Sequence, residues 1–276
     1  MKISVIGCGW LGEPLAVELI AHGHAVKGST TSPSKIERLC SKNIQAYLGA
    51  FNPKFEGDAS IFNAEVLVIN IPPKARSLGQ DFHLTQIQNL IDQLKVNKVD
   101  RKIIFVSSTS VYANNNGVVS EENADPNNFL VKAENMLFDF AKSNDSEITV
   151  VRFGGLMGYE RNPCKYFDGK SGLTNGDTPV NYIHLDDAVA AICSIIEKGL
   201  WNKTYNICSP KHPSRSEILT GRCEKYGYVS PVFEIDSEKE DFKMVSVEKF
   251  LSDSHFVFKY ADPLDFKYLS KGEVYF

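Results

Sequence analysis

The sequence begins with KISVIGCGWLG at residues 2–12, and this stretch decides the fold of the first part of the chain. Residues 2–6 are mostly apolar or β-branched, which is typical of a buried strand. The pattern that follows is Gly7-Cys8-Gly9-Trp10-Leu11-Gly12. Its first glycine permits a tight turn, its second lets the main chain approach a phosphate, and its third allows close helix–strand packing. The pattern predicts a dinucleotide-binding turn; the alternative is a glycine turn that binds no nucleotide.

Short β-rich runs then alternate with longer helical patterns, as in β–α–β units around a parallel sheet. Several runs are almost continuous in Val, Ile and Phe, which indicates strands covered on both faces. The predicted strands are residues 2–6, 25–29, 44–48, 65–71, 102–107, 147–153 and 204–208. The predicted helices are residues 11–22, 33–42, 81–95, 129–142 and 187–198, with Ser32 capping the second. We therefore predict an α/β fold with a doubly wound parallel sheet, the NAD(P)-binding Rossmann fold.

Composition excludes several classes of protein. Lys and Arg total 30 and Asp and Glu total 34, so the formal net charge is −4 and neither nucleic acid nor an anionic membrane is an expected partner. No apolar stretch approaches the roughly 20 residues that span a bilayer, and the N-terminus does not resemble a signal peptide. The six cysteines, at positions 8, 40, 164, 193, 208 and 223, lack metal-ligand spacing. We expect reduced thiols in a cytoplasmic protein without a metal site.

The character of the sequence changes after Phe153. Residues 154–181 are rich in Gly, Asn and Pro and are predicted to form a long loop region. Residues 209–276 are predicted to add a helix at 214–226, a strand at 232–236 and an aromatic-rich tail. We predict a nucleotide-binding domain from residues 1–153 and 182–208. A smaller C-terminal α/β substrate lobe would combine residues 154–181 and 209–276.

The end of the second predicted strand bears on the choice of cofactor. In NAD sites an Asp or Glu at this point commonly binds the adenosine ribose, and this sequence has none there. Thr30, Thr31 and Ser32, with Lys35 one turn further, could instead bind a 2′-phosphate through charge-assisted hydrogen bonds. We favour NADP over NAD. The alternative is that Ser32 only caps the helix and that Lys35 is only solvated.

The fourth predicted strand ends in Asn70-Ile71-Pro72-Pro73. Prolines at the carboxyl end of a strand stop its hydrogen bonding and shape the crevice in which ligands of open α/β sheets lie. Asn70 and Pro72 are therefore predicted to contact the cofactor, although a simple strand end would explain the prolines equally well.

Three further segments resemble landmarks of the extended short-chain dehydrogenase/reductase family, which includes NAD-dependent epimerases and dehydratases of nucleotide sugars. They are IIFVSSTSVY at residues 103–112, VRFGGLMG at 151–158 and NYIHLDD at 181–187. In pattern the chain is most similar to an atypical, uncharacterised bacterial subgroup with the GCGWLG turn. The resemblance runs from residue 2 to about residue 210. It implies an NAD(P) cofactor and a small-molecule substrate such as a nucleotide sugar, and it is compatible with a homodimer.

The same resemblance implies roles for several side chains. Ser108 matches the Ser or Thr that hydrogen-bonds the reacting oxygen in that family. The family's acid/base is the Tyr of a YxxxK pair, whose Lys binds the nicotinamide ribose and lowers the pKa of the Tyr. The matching residues here are Asn128 and Lys132, so the Lys is present and the Tyr is replaced. Because an amide cannot relay a proton at neutral pH, Asn128, Tyr112 and an ordered water remain alternatives for that role.

For the other candidate residues, a purely structural role is an alternative to a functional one. Tyr112 could be a packed aromatic residue, and His184, a second candidate acid/base or substrate contact, could be a core histidine bonded to the main chain. Arg161 is a candidate anion contact in the substrate cleft or a solvated loop residue, while Asp186 or Asp187 is predicted to cap a helix. The sequence thus predicts an NAD(P)-dependent, epimerase/dehydratase-like oxidoreductase. The alternative is a non-catalytic dinucleotide-binding redox sensor or regulatory module.

Overall fold

A computed structural model describes residues 1–96, 101–234 and 241–274. The chain forms two compact units. The first comprises Met1–Val111, Asp125–Arg152 and Val189–Tyr205, and the second comprises Tyr112–Ala124, Phe153–Ala188 and Asn206–Phe276. Residues 112–124, 153, 182–188 and 206–208 belong to the second unit, whereas the sequence predicts them in the nucleotide-binding domain.

The described residues contain these strands: β1 Lys2–Ile6, β2 Ala25–Thr30, β3 Gln45–Phe51, β4 Phe55–Gly57, β5 Val66–Ile69, β6 Lys102–Ser108, β7 Gly117–Val119, β8 Glu147–Phe153, β9 Gly155–Met157, β10 Tyr182–His184, β11 Lys203–Ile207 and β12 Lys243–Val245. Their α-helices are α1 Gly12–Ala21, α2 Ile36–Ser41, α3 Ala75–Leu78, α4 Gln80–Val96, α5 Phe129–Ser143, α6 Cys164–Phe167, α7 Leu185–Lys198, α8 Arg215–Leu219, α9 Arg222–Lys225 and α10 Glu248–Ser254. Among the described residues, no helix combines the length and the apolar character needed to cross a bilayer.

One large sheet has the strand order β11-β8-β6-β5-β1-β2-β3-β4. The pairs β1–β2, β1–β5, β2–β3 and β5–β6 are parallel, and β3–β4 is antiparallel. From β1 the chain builds outward through β2 to β4, and it then builds in the opposite direction from β5 to β11. The order therefore reverses between β1 and β5, and ligands of such sheets bind outside the carboxyl ends of the strands at that point. This topology confirms the predicted α/β fold with a doubly wound, mostly parallel sheet.

One layer of the core of the first unit lies between this sheet and the helices α4 and α5. All four residues of β5 are buried, which explains why its sequence, VLVI, is continuously apolar. The helices contribute apolar residues at helical spacing, and the buried set includes Ile87, Leu90, Ile91 and Leu94 of α4, and Ala133, Leu137 and Phe140 of α5. Each large apolar side chain removed from water contributes about 1.5–3 kcal/mol to the free energy of unfolding.

The second unit is held together by short strands and by polar bridges. Its pairs β7–β12 and β9–β10 are both parallel. The side-chain amide of Asn181 binds β12 at two points, because it donates to the carbonyl of Lys243 at 2.9 Å and accepts from the amide of Val245 at 2.8 Å. Such a paired contact satisfies main-chain groups that a three-residue strand leaves open.

A disulfide between Cys164 and Cys223 corrects the expectation that all six cysteines are reduced. The two residues are 59 positions apart, and their Cα atoms lie 5.2 Å from each other. They come from α6 and α9 and pack with Val180, Ile218 and Leu219 in a small apolar cluster of the second unit. A pair so distant in sequence leaves no local signal, because only the packing of the two helices brings its members together.

Three element predictions for the second unit are also wrong. Residues 154–181, predicted to be a loop, contain β9 and α6. The predicted helix at 214–226 is divided into α8 and α9, since Gly221 adopts a φ of +74° between them. The predicted strand at 232–236 is reduced in its described part to one bridge between Leu173 and Phe233, and residues 235 and 236 lie outside the described residues.

Gly28, in β2, makes room for a side chain of the neighbouring glycine turn. A Cβ at this position would lie 2.5 Å from the Sγ of Cys8 and 2.8 Å from the Cγ2 of Ile44. The thiol of Cys8 fills this space, and burial raises its pKa to about 12. Cys8 is therefore a packed thiol and not a reactive thiolate.

We expect Gly28→Ala to lower the free energy of unfolding by about 1–3 kcal/mol, because the added methyl group overpacks this space. Cys8→Ala in the same chain removes the sulfur and should restore part of the loss. Urea unfolding of the two single variants and the double variant measures the coupling. Strictly additive effects would contradict the proposed contact.

Candidate dinucleotide-binding site

The glycine turn after β1 is held by the ends of two neighbouring strands. Gly7 has a φ of +105°, its amide donates to the Oγ of Ser29 at 3.0 Å, and its carbonyl accepts from the Nδ2 of Asn70 at 3.0 Å. The amide of Cys8 donates to the carbonyl of Ser29 at 2.7 Å. Ser29 belongs to β2 and Asn70 follows β5, so side chains on both sides of β1 position the turn.

The three glycines of the motif are required for different reasons. A Cβ on Gly12 would lie 2.1 Å from the carbonyl oxygen of Gly7, and a Cβ on Gly7 would lie 2.3 Å from the carbonyl oxygen of Asn70. A Cβ on Gly9, by contrast, would have no described protein atom within 4 Å. Packing within the chain thus explains Gly7 and Gly12. Gly9 borders open space, as expected where the main chain approaches a ligand.

Helix α1 begins at this turn without a side-chain cap. Its N-cap residue is Leu11, whose side chain cannot accept a hydrogen bond from the first amides of the helix. The amide of Glu13 donates to the carbonyl of Gly9 at 3.0 Å and Pro14 has no N–H, so the ten-residue helix presents the amide of Gly12 and the positive end of its dipole at the turn. That combination suits an anion such as a pyrophosphate.

A carboxylate in the first turn of α1 is already neutralised. The Oε1 of Glu13 accepts from Arg38 Nε at 2.9 Å and pairs with Lys42 Nζ at 2.8 Å. Burial alone would raise the pKa of Glu13, but the hydrogen bonds from Lys42 and Arg38 outweigh it and hold the pKa below its usual value. Glu13 therefore ties α1 to α2, and its charge is compensated before any phosphate approaches.

A cleft of about 250 Å³ opens at the carboxyl ends of β1, β2, β3 and β5. Most of the predicted cofactor-binding residues line it, namely Gly7, Cys8, Gly9, Thr30, Thr31, Lys35, Asn70 and Pro72. Trp10, Leu11 and Gly12 belong to the same motif but are not among the lining residues. The structure thus brings one predicted set together in the first unit.

The cleft also has a wall that sequence reasoning missed. Residues of the β3–β4 hairpin and of two other elements complete it: Gly49, Ala50, Phe51, Asn52, Phe55, Lys74 and Gln86. The predicted strand at 44–48 stopped before the hairpin, whereas β3 extends to Phe51. The prediction ended the strand before Gly49-Ala50. The missed signal in the sequence was the pair of aromatic residues Phe51 and Phe55, whose ring centroids lie 5.1 Å apart in the structure.

Hydroxyl groups and one lysine follow β2. The Oγ1 of Thr30 accepts from the amide of Ser32 at 3.2 Å, and the Oγ of Ser32 lies 2.8 Å from the Oγ of Ser34. The predicted cap is therefore wrong, because the Ser32 side chain makes no capping hydrogen bond. Lys35 is exposed at the cleft, and no Asp or Glu occurs among the described lining residues.

Two of the residues predicted to carry the chemistry, Ser108 and Asn128, both contact Ser110 at the end of β6. The Oγ of Ser108 accepts from the amide of Ser110 at 3.1 Å, and the Nδ2 of Asn128 donates to the carbonyl of Ser110 at 3.3 Å. The Oδ1 of Asn128 accepts from the amide of Leu130 at 2.9 Å, so Asn128 is the N-cap of α5. Lys132 is exposed one turn further along this helix.

A buried cluster of polar and charged side chains supports the segment that carries Ser108. Ser107 Oγ donates to Glu134 Oε1 at 2.5 Å, and Arg152 Nη2 binds Glu134 Oε2 at 2.6 Å. Glu134 and Arg152 are only 1% and 5% exposed. The three residues connect β6, α5 and β8 through charge-assisted hydrogen bonds. Sequence reasoning missed this group, because its members are 27 and 18 positions apart.

Tyr112, Arg161 and His184 lie in the second unit. Tyr112 is 3% exposed, and its hydroxyl donates to the Oδ1 of Asn206 at 2.5 Å. The guanidinium of Arg161 is partly buried, and this burial lowers its pKa. His184 is fully buried, with its Nδ1 accepting from the amide of Asp186 at 3.2 Å and its Nε2 donating to the carbonyl of Lys267 at 3.3 Å.

The acidic pair after His184 binds the C-terminal segment. The carboxylate of Asp187 accepts from the amides of Lys259 at 2.7 Å and Tyr260 at 2.9 Å. Asp186 accepts from the hydroxyl of Tyr159 at 2.9 Å and from Lys259 Nζ at 2.7 Å. These carboxylates therefore anchor residues 259 and 260, a role that the predicted helix cap did not include.

We expect Gly9→Ala and Gly12→Ala to differ sharply in stability. Gly12→Ala should lower the free energy of unfolding by about 3 kcal/mol, since its Cβ would overlap the carbonyl of Gly7. Gly9→Ala should stay within about 0.5 kcal/mol of the parent protein, because its Cβ meets no neighbour. Urea unfolding measures both values, and a similar loss in the two variants would refute the assignment of Gly9 to open space.

His184 predicts how stability depends on pH. Burial lowers its pKa, although the nearby carboxylate of Asp186 and the hydrogen bond to Lys267 act in the opposite direction. The unfolded chain, in which a histidine has a pKa of about 6.5, therefore binds the proton first as the pH falls. The free energy of unfolding should decrease below about pH 6.5.

His184→Gln should flatten this decrease between pH 7.5 and 5.5 relative to the parent protein. Urea unfolding at a series of pH values is the measurement, and His255→Gln, at an exposed histidine, is the matched control. A His184→Gln profile parallel to that of the parent protein would show that another group causes the acid sensitivity.

The comparisons with known proteins agree with this geometry. The sequence model of the family described as the NAD binding domain of 6-phosphogluconate dehydrogenase matches residues 2–72, which include the glycine turn and the end of β5. Among solved structures, UDP-glucuronic acid 4-epimerase from Bacillus cereus in complex with NAD has a TM-score of 0.75 at 18% identity, over 97% of this chain and 95% of that one. UDP-glucose 4-epimerase from Stenotrophomonas maltophila with bound NAD has a TM-score of 0.77 at 16% identity, over 96% and 95%.

A sequence relative covers almost the whole chain. Protein YeeZ from Escherichia coli strain K12 is 31% identical over 271 residues, which are 95% of this chain and 97% of that protein. The narrower assignment to a GCGWLG subgroup stays a prediction. The chain belongs to the same family as protein YeeZ, and its fold is similar to that of the two epimerase structures that contain NAD.

Proposed function

We propose that this protein is an NAD(P)-dependent, epimerase/dehydratase-like oxidoreductase that acts on a nucleotide sugar or a similar small polar substrate and prefers NADP. The observation that carries the proposal is the open space above Gly9, at the end of a helix whose first amides lack a side-chain cap. A pyrophosphate fits such a turn because main-chain N–H groups can bind it directly. The solved structures named above, which contain NAD, support a nicotinamide cofactor.

The preference for NADP follows from the charges around the cleft. A 2′-phosphate adds two negative charges to the adenosine ribose, and hydroxyl groups and a lysine suit it better than a carboxylate would. Thr30, Thr31 and Lys35 would hold this group, and the described lining residues include no Asp or Glu that would repel it.

The chemistry would use residues at the end of β6 and the start of α5. When bound, the nicotinamide would supply or accept a hydride. The hydroxyl of Ser108 would hydrogen-bond the reacting oxygen of the substrate, and the ammonium of Lys132 would bind and orient the nicotinamide ribose. Glu134 and Arg152 support this arrangement, since they join α5 to β6 and β8 below it. The proton would pass through water ordered near Asn128.

A specific observation favours a second candidate function. Both polar atoms of the Asn128 side chain are engaged, with Leu130 on one side and Ser110 on the other. At the position where the superfamily uses its acid/base, this chain therefore has a helix cap. A non-catalytic module that binds NADP(H) and senses the redox state would need the cofactor site but no acid/base.

The cofactor assignment predicts tighter binding of NADPH than of NADH. We expect Lys35→Met to weaken NADPH binding about tenfold, which is the loss of one charge-assisted contact, and to change NADH binding less than twofold. Gly9→Val should abolish binding of both coenzymes. Fluorescence titration measures these constants, and Lys54→Met, an exposed lysine outside the cleft, is the matched control. If the parent protein binds neither coenzyme at millimolar concentration, the proposed function is wrong.

Transfer of deuterium separates the two candidate functions. An enzyme would move the label from 4-deuterated NADPH to a metabolite in a cell extract, and Ser108→Ala should reduce that transfer by two orders of magnitude or more. Mass spectrometry of the extract detects the labelled product. Binding without any transfer, combined with turnover that appears only in Asn128→Tyr, would favour the sensor.

A further inference from the structure

A contact between two loops crosses the mouth of the cleft. Lys74 Nζ donates to Asn52 Oδ1 at 3.4 Å. Lys74 follows β5 and Asn52 follows β3, and β1 and β2 lie between these strands in the sheet. Neighbouring strands are about 4.8 Å apart, so β5 and β3 are separated by about 14 Å. The contact therefore spans the width of β1 and β2, at whose carboxyl ends the adenosine half of a dinucleotide lies in this fold.

The main chain at Lys74 has an uncommon conformation. Its φ is +51° and its ψ is 20°, which is the left-handed region that lysine seldom adopts. Gly or Asn is the usual residue in such a position. Here the chain keeps a long cationic side chain at the edge of a cleft, and uncommon conformations of this kind cluster at ligand-binding sites.

The present contact gives the positive charge of Lys74 little electrostatic stabilisation. The partner is a neutral amide, the distance is long for a hydrogen bond, and both side chains are exposed. Lys74 and Lys35 are the two charged residues among the described residues that line the cleft. They follow different strands, β5 and β2, so two cations border one cavity from different sides.

We propose that Lys74 is a second 2′-phosphate-binding residue and that its contact with Asn52 is exchanged for the phosphate when NADP(H) binds. This inference rests on the proposed cofactor. Lys35 approaches the phosphate from the end of β2, and Lys74 closes over it from the loop after β5. The exchange replaces a weak contact with a neutral amide by an ion pair with a doubly charged group, so bound NADP(H) favours the rearranged loop.

The test compares NADPH and NADH in five variants of the full chain. We expect Lys74→Met to weaken NADPH binding about tenfold and NADH binding less than twofold, because only the 2′-phosphate is lost as a partner. Lys74→Arg should retain most of the affinity, since it keeps the charge. Asn52→Ala should bind NADPH at least as tightly as the parent protein, because no loop contact has to be broken. Lys54→Met, which removes a nearby exposed charge outside the cleft, should change nothing.

Lys74→Gly separates the charge from the backbone conformation, since glycine adopts a positive φ without strain. An equal loss of NADPH affinity in Lys74→Met and Lys74→Gly supports the proposal. Unchanged NADPH affinity in both variants, or an equal loss for NADPH and NADH, overturns it while leaving the proposed function intact. A parent protein that binds neither coenzyme overturns both.

Discussion

The close approach of the first helix to the first strand is the constraint on which the nucleotide site depends. With a Cβ at Gly12 only 2.1 Å from the carbonyl of Gly7, any other residue would push α1 away from the turn. The helix amides would then lose the position from which they can bind a phosphate. The turn itself relies on Ser29 and Asn70 of the flanking strand ends. The phosphate site is thus a property of β1, β2 and β5 together, and not of the glycine loop alone.

Much of the first unit could be predicted from the sequence, because its signals are local. The strands β1 and β8 begin and end where the apolar runs at 2–6 and 147–153 predict, and α5 is only one residue longer than predicted. The second unit was predicted less well. Its strand β7 pairs with β12, more than a hundred residues later, and a run of three residues has no periodicity to detect. The part of the cleft wall formed by Asn52 and Lys74 was also missed, because it depends on which loops meet in space and not on a local sequence pattern.

Asn128 shows how one residue can satisfy two interpretations of a sequence. As the counterpart of a catalytic tyrosine, Asn128 would indicate that the acid/base has been lost. As the first residue before α5 it is a favoured N-cap: its Oδ1 accepts from the amide of Leu130 in that role, while its Nδ2 donates to the carbonyl of Ser110. The capping role accounts for an asparagine at this position without any reference to catalysis.

The buried group of Ser107, Glu134 and Arg152 restricts how this chain can diverge. Loss of Arg152 would leave the carboxylate of Glu134 in the interior without this cation, at a cost of about 3–5 kcal/mol, whereas joint replacement by apolar residues of similar volume can be neutral. A single substitution at one of these positions therefore lowers the free energy of unfolding strongly, whereas a paired substitution can avoid that loss. Any redesign of the segment that carries Ser108 therefore has to treat these three residues together.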